Sequence, residues 1–287
     1  MKIGISFSPY DRGYGRYGND KFSVLKRQGY GAADYSIADT ETELYYLDVN
    51  EIKQKLSTEK ALAEAAGIEI PQAHGPWRWP PRDSSEQERA ERLDKMKKAV
   101  VIVSQLGCKN LVIHPLMPYG IEDLKLKKER ETHDLNLAFF KELVAFAKQY
   151  GVTVCLENMP MRNFSIAKPA DILKLVKEIN DEHFKICLDT GHVAVFPELS
   201  IGDEIRRLGD YIKAFHIHDN MGDVDSHLYP WKGVIDWRDF ADAIGDIGYD
   251  GALSLETAPP KEYDDAEFRL AGAELCKLLK GIIEKKQ

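Results

Sequence analysis

With 287 residues, 44% of them hydrophobic, the chain has enough apolar material for a sizeable core, and one domain over 1–287 accounts for that length. A net charge of −8 excludes any general electrostatic attraction to nucleic acid or anionic membrane. No apolar run is long enough to span a bilayer, and the opening MKIGISF lacks the basic, apolar and small-residue stretches of a secretory signal. The four cysteines (Cys108, Cys155, Cys187, Cys276) form no C-x-x-C pair, and three adjoin or lie in apolar runs. Buried free thiols and a cytoplasmic location are the expectation.

Short apolar runs alternate with amphipathic stretches along the chain. The first predicted strand, Lys2–Phe7, is followed by a Gly/Tyr/Arg loop over Ser8–Asp20 and a weakly apolar second strand, Ala32–Ile37. Then come Ile68–Ala73, Asn110–His114, Val152–Glu157, Phe184–Asp189, Ile212–His216 and Ala252–Glu256, short and bounded by Gly, Asn, Asp or Pro. Between them, Leu93, Met96, Val100 and Val103 share one helical face, as do Leu137, Phe140, Val144 and Ala147. Phe268, Ala271, Leu275, Leu278 and Ile282 repeat the pattern in the closing helix. Gly67, Gly107, Gly151 and Gly248 stand where helices end. Eight such units with no linker predict an α/β fold, a single (β/α)8 barrel with its active site at the C-terminal ends of the strands. An open doubly wound sheet fits less well, since no glycine-rich phosphate loop follows any strand.

Ligand-type residues recur at those strand ends: His74 after strand three, His114 after four, Glu157 after five, Asp189 after six, His216 after seven and Glu256 after eight. Six of the eight histidines (His74, His114, His192, His216, His218, His227) fall at or just past such ends, while His133 and His183 read as solvated. Carboxylate with imidazole suits Zn²⁺, Mn²⁺ and related divalent ions, and no cysteine joins the set. Glu157 and Glu256 close the apolar runs VTVCLE and ALSLE, where a carboxylate is costly without a partner. Each also has a plainer reading: an ion pair with lysine or arginine for the acids, a hydrogen-bonded core residue for His216. Trp77, Trp79 and Trp231 read either as substrate-facing aromatics or as loop packing.

The motifs LENMP (156–160), CLDTGH (187–192), FHIHDN (215–220), DSHLYPWKGVIDW (225–237) and LSLE (253–256) resemble the xylose-isomerase-like barrel superfamily. That superfamily includes sugar isomerases and epimerases, and DNA-repair enzymes of the endonuclease IV type. The resemblance implies a shared four-ligand metal centre at Glu157, Asp189, His216 and Glu256. In the ketose epimerase branch, the positions of Glu157 and Glu256 also supply the acid/base pair beside an enediolate, and His192 contacts a substrate oxygen. In the endonuclease branch, His192 joins an Asp-x-His pair, here Asp225 and His227, in holding a third metal. His74 and His114 join the bridging glutamate around another. One to three divalent ions (Mn²⁺, Zn²⁺, Co²⁺ or Mg²⁺) are therefore implied.

HIHDN stands where the repair enzymes carry Asn-Asp-Ser, and LYPWKGVIDW replaces their Ile-Gly turn. The resemblance thus favours a metal-dependent sugar isomerase or epimerase acting on a ketose or polyol-derived compound, with Trp77 and Trp231 as candidate sugar contacts. A zinc phosphodiesterase acting on abasic DNA through Tyr10–Arg16 and Trp77-Arg78-Trp79 is the alternative. The partner expected is a small sugar, free rather than phosphorylated because no phosphate cradle is evident; nucleic acid is disfavoured. Pairing of barrel helices would give a homo-oligomer.

Overall fold

The structure, a computed structural model, describes residues 1–10, 17–81 and 83–284. The centre of the Gly/Tyr/Arg loop, residues 11–16, lies outside the described residues, as does that part of the Tyr10–Arg16 reading. Eight parallel strands close into a barrel in sequence order. They are β1 (Lys2–Ser6), β2 (Ala32–Ser36), β3 (Glu69–His74), β4 (Asn110–Ile113), β5 (Thr153–Glu157), β6 (Phe184–Asp189), β7 (Ile212–Ile217) and β8 (Ala252–Leu255). Each predicted strand is present, its ends within about a residue of those read from the sequence.

The helices are α1 (Lys21–Gln28), α2 (Val49–Ala66), α3 (Glu86–Leu106), α4 (Glu129–Lys148), α5 (Pro169–Ile179), α6 (Thr190–Ala194), α7 (Ile201–Leu208), α8 (Trp237–Asp246) and α9 (Asp265–Glu284). β6 is therefore followed by two helices rather than one. Asp189 explains the first: its side chain accepts the His192 backbone N–H at 2.6 Å and caps a single turn that starts directly off the strand. Gly67 and Gly107 end α2 and α3 with φ of 66° and 76°, as the sequence predicts. In α9 the buried stripe runs Phe268, Gly272, Leu275, Cys276, Leu279 and Ile282, so predicted Ala271 and Leu278 lie at its partly exposed flank. All four cysteines are buried free thiols. Among the described residues, no helix is long and apolar enough to cross a membrane.

The strands position the site through their two-residue alternation. One set of side chains (Leu111, Ile113, Val154, Leu156, Ile186, Leu188, Phe215, Ile217, Leu253, Leu255) belongs to the large core shared with the helices. The other set points into the barrel, where Val112, Cys155, Cys187 and Ala214 form a separate small cluster, fully buried. Two residues further along each of those strands stand His114, Glu157, Asp189 and His216. The polar ring is thus the next interior layer above an apolar floor.

Candidate active site

Glu157, on the end of β5, is the hub. Its Oε1 lies 2.7 Å from His216 Nδ1, and its Oε2 lies 3.0 Å from His114 Nε2 and 3.6 Å from His74 Nε2. His216 Nδ1 is also 3.3 Å from Glu256 Oε2. The structure brings Glu157, Asp189, His216 and Glu256 together so that one ligand-type atom from each lies within 4.8 Å of all the others. His74, His114 and Glu157 form a second such group. No lysine or arginine pairs with any of these acids, so the plain ion-pair reading of Glu157, Asp189 and Glu256 does not hold among the described residues.

A third group lies across the mouth. His192 Nε2 and His227 Nε2 each approach Asp225 Oδ2 at 3.2 Å. His218, for which the sequence suggested no role, stacks on His227 with ring centroids 4.1 Å apart. Its Nε2 lies 3.0 Å from Asp189 Oδ2 and 3.5 Å from Asp225 Oδ1. His218 thus joins both Asp189–His192 and Asp225–His227 in groups of metal-ligand spacing.

The imidazoles are aimed by their far nitrogens. Nδ1 of His74, His192 and His227 lies 2.9, 2.6 and 2.6 Å from the carbonyls of Gly75, Asn158 and Glu256. A carbonyl only accepts, so each Nδ1 carries a hydrogen and turns Nε2 into the cavity. Asn158 is itself locked: it accepts from the Asp189 N–H at 2.8 Å and donates to the Asp189 carbonyl at 3.0 Å.

The chemistry of this set fits a cation. Ligands about 2.0–2.1 Å from a zinc-sized ion in a tetrahedral shell lie roughly 3.3 Å from one another. The His74–His114, His114–Glu157 and His74–Glu157 edges are 3.2, 3.0 and 3.6 Å. Glu157 Oε2 and Asp225 Oδ1 are buried without a hydrogen-bond partner, a cost that a cation or substrate would offset.

Electrostatics separates the two glutamates. Burial works against ionisation of Glu157, but the His216 and His114 imidazoles outweigh it and hold this carboxyl well below its ordinary range. Glu256 moves the other way: burial, reinforced by the negative charges of Glu157 and Asp189, pushes it up to about 7. Burial also pushes His114 down to about 4. At His192 burial is outweighed by Asp189 and Asp225, which carry it up to about 10.

All of these groups except the fully buried Asp189 and His218 line a cavity of about 270 Å³, with Ser6, Ser8, Asp34, Ser36, Ala38 and Trp77. Trp77 sits edge-on to His114, ring centroids 4.3 Å apart. Trp231 needs correcting: its half-exposed side chain lines a different groove, between α8 and α9, and is not a wall of the cavity. Past Leu228, which pairs with Asp219, the chain turns outward and reaches φ 70° at Trp231. His133 is another departure, its Nε2 lying 2.7 Å from Glu178 rather than simply solvated. Sequence reasoning missed Asp34, Asn158 and the serines. For Asp34 the signal available was a lone acid inside a predicted strand.

A parallel barrel that gathers imidazoles and carboxylates at the C-terminal rim defines a class, the barrel proteins whose working face is that rim. Within that class the chain belongs to the xylose isomerase-like TIM barrel family, which matches residues 22–271. It is 26% identical over 264 residues to the D-psicose 3-epimerase of Ruminiclostridium cellulolyticum, covering 89% of this chain and 83% of that one. It is 29% identical over 178 residues to the uncharacterized protein MJ1311 of Methanocaldococcus jannaschii, a match spanning 61% of this chain and 60% of the relative's length. Among solved structures, a D-tagatose 3-epimerase-like protein aligns with a TM-score of 0.76 at 25% identity, over 100% of this chain and 99% of that one.

Proposed function

We propose that this protein is a divalent-metal-dependent sugar epimerase that moves a proton on the carbon next to a ketose carbonyl. One observation carries the reading: two carboxyls, Glu157 and Glu256, line one cavity and meet at His216 Nδ1, at 2.7 and 3.3 Å. Ionised Glu157 removes the proton from the carbon beside the carbonyl, leaving an enediolate. Protonated Glu256 returns a proton to that carbon from the other face, so configuration inverts and the two carboxyls end with their states exchanged. Glu157, Asp189, His216 and Glu256 would hold the cation, whose positive charge lowers the cost of forming the enediolate. His192, cationic beside Asp225, donates to a substrate oxygen, and Trp77 forms an apolar wall.

The substrate class follows from the lining. Serine hydroxyls, imidazoles and carboxylates face the cavity, and no lysine or arginine among the described residues does. Such a wall suits a free ketose or polyol-derived ketone better than a phosphate ester. With Mn²⁺-loaded protein in deuterated water, a ketose panel should show solvent deuterium entering beside the carbonyl. Glu157→Gln and Glu256→Gln should each slow that exchange about 10²–10⁴-fold. No exchange with any ketose by the Mn²⁺-loaded wild type would sink the reading.

The further groups of donor atoms beside the four-ligand set favour a second reading, a zinc phosphodiesterase of the endonuclease IV type. Its test is cleavage of an abasic duplex by the Zn²⁺-loaded protein.

A further inference from the structure

His74, His192 and His227 are each aimed by a backbone carbonyl on Nδ1. His216 is held the opposite way round. Its Nδ1 faces Glu157 and Glu256, and its Nε2 lies 3.0 Å from Asp34 Oδ2 on β2. That same oxygen takes the Gln72 side-chain amide at 2.7 Å and the Ser254 hydroxyl at 3.2 Å. Gln72 cannot be turned over at no cost, because its Nε2 also donates to the Phe215 carbonyl, 3.1 Å away, on the residue before His216.

The barrel is built to let these groups meet. Asp34 and Gln72 are direct partners in the β2–β3 register. Ser254 reaches Asp34 from β8 across β1, where the residue in register with Ser254 is Gly4. A β-carbon on Gly4 would already meet Ala32 Cβ at 3.2 Å. Asp34, Gln72 and Ser254 are all buried and sit beneath the rim.

A neutral imidazole has one N–H and one bare nitrogen, and a carboxylate can only accept. Resting on the cation site of the proposed function, we propose that Asp34 is a positioning residue that fixes the His216 tautomer. Asp34 holds the hydrogen on Nε2, so that the Nδ1 lone pair points at the position between Glu157 and Glu256. Gln72 and Ser254 hold Asp34 in turn, and Gln72 ties the arrangement to the β7 backbone. Such partners behind a ligand histidine commonly change metal affinity about 10–100-fold when removed.

Two variants separate acceptor from packing. Asp34→Asn keeps an oxygen on the same three donors, whereas Asp34→Ala leaves none. Calorimetry with Mn²⁺ should show affinity weakened about 10–100-fold in Asp34→Ala and largely restored in Asp34→Asn. Long-range ¹H–¹⁵N NMR of the Zn²⁺-loaded wild type should place the His216 hydrogen on Nε2. That spectrum needs no variant, so a misfolded Asp34→Ala does not protect the proposal. A wild-type spectrum with the hydrogen on Nδ1, or wild-type Mn²⁺ affinity in folded Asp34→Ala, overturns the role of Asp34 alone. A wild type that binds neither Mn²⁺ nor Zn²⁺ overturns the cation site and this role with it.

Discussion

At the residue scale, the two glutamates differ because of what faces them. Glu256 has a folded-state pKa of about 7, above its ordinary 4.5, so the folded metal-free protein binds this proton more tightly than the unfolded chain does. The stabilisation is complete below about pH 4.5 and disappears as pH rises through 7, amounting to about 3 kcal/mol. Glu256→Gln stays uncharged and escapes the loss. Denaturant titrations of both metal-free proteins should therefore show the wild type losing ground to Glu256→Gln between pH 5 and 8. A difference that stays flat over that range would contradict the assignment. The identities of the rim acids and imidazoles were legible in the sequence because each follows a strand. What aims them was not: Asn158 and the Gly75 and Glu256 carbonyls act through backbone geometry, which leaves no compositional trace. Asp34 lay in a predicted strand that is only weakly apolar, so it did not stand out as a buried acid, and its partners come from three other strands.

At the scale of elements, the connections after β6 and β7 interlock. α6 carries His192 back over the mouth, and the His218 ring lies against Gly191 in its first turn. A β-carbon on Gly191 would land inside that ring, with no flexible chain end to yield. Gly191→Ala should cost about 1–3 kcal/mol of stability by overpacking and should also displace His218 from Asp189. Urea unfolding with Mn²⁺ titration checks both; unchanged stability would show that the ring has room to move. The β7 motif divides its labour similarly. His216 and His218 face the rim, while Asp219 accepts the Trp237 indole N–H at 2.9 Å and the Ile235 N–H at 3.2 Å. Asn220 reaches the Gly191 carbonyl at 2.5 Å. The conspicuous IDW segment is thus an anchor: Trp237 is fully buried and Asp236 caps α8. The eight strands were readable as short apolar runs, and α3, α4 and α9 from their apolar faces. The doubled helix after β6 was not, because one turn is too short to show a period, and Trp231 was misplaced because a loop's direction depends on φ values that composition does not carry.

At the scale of the whole molecule, charge favours the first of the two proposed reactions. A duplex-binding enzyme needs cationic contacts to many phosphates, whereas this chain carries −8 and its cavity wall is acidic and imidazole-rich. Zn²⁺-loaded protein incubated with an abasic duplex oligonucleotide at low salt should therefore leave it intact. Strand cleavage that Glu157→Gln abolishes would reverse the assignment in favour of the phosphodiesterase. Finally, the apolar floor of Val112, Cys155, Cys187 and Ala214 makes the barrel interior a cup rather than a tube. Whatever enters must back out by the same opening, so ligand and product compete for one doorway. On the proposed chemistry, the enzyme cannot pass sugars through in file: each must leave before the next arrives, and accumulated product stands in the way of fresh substrate.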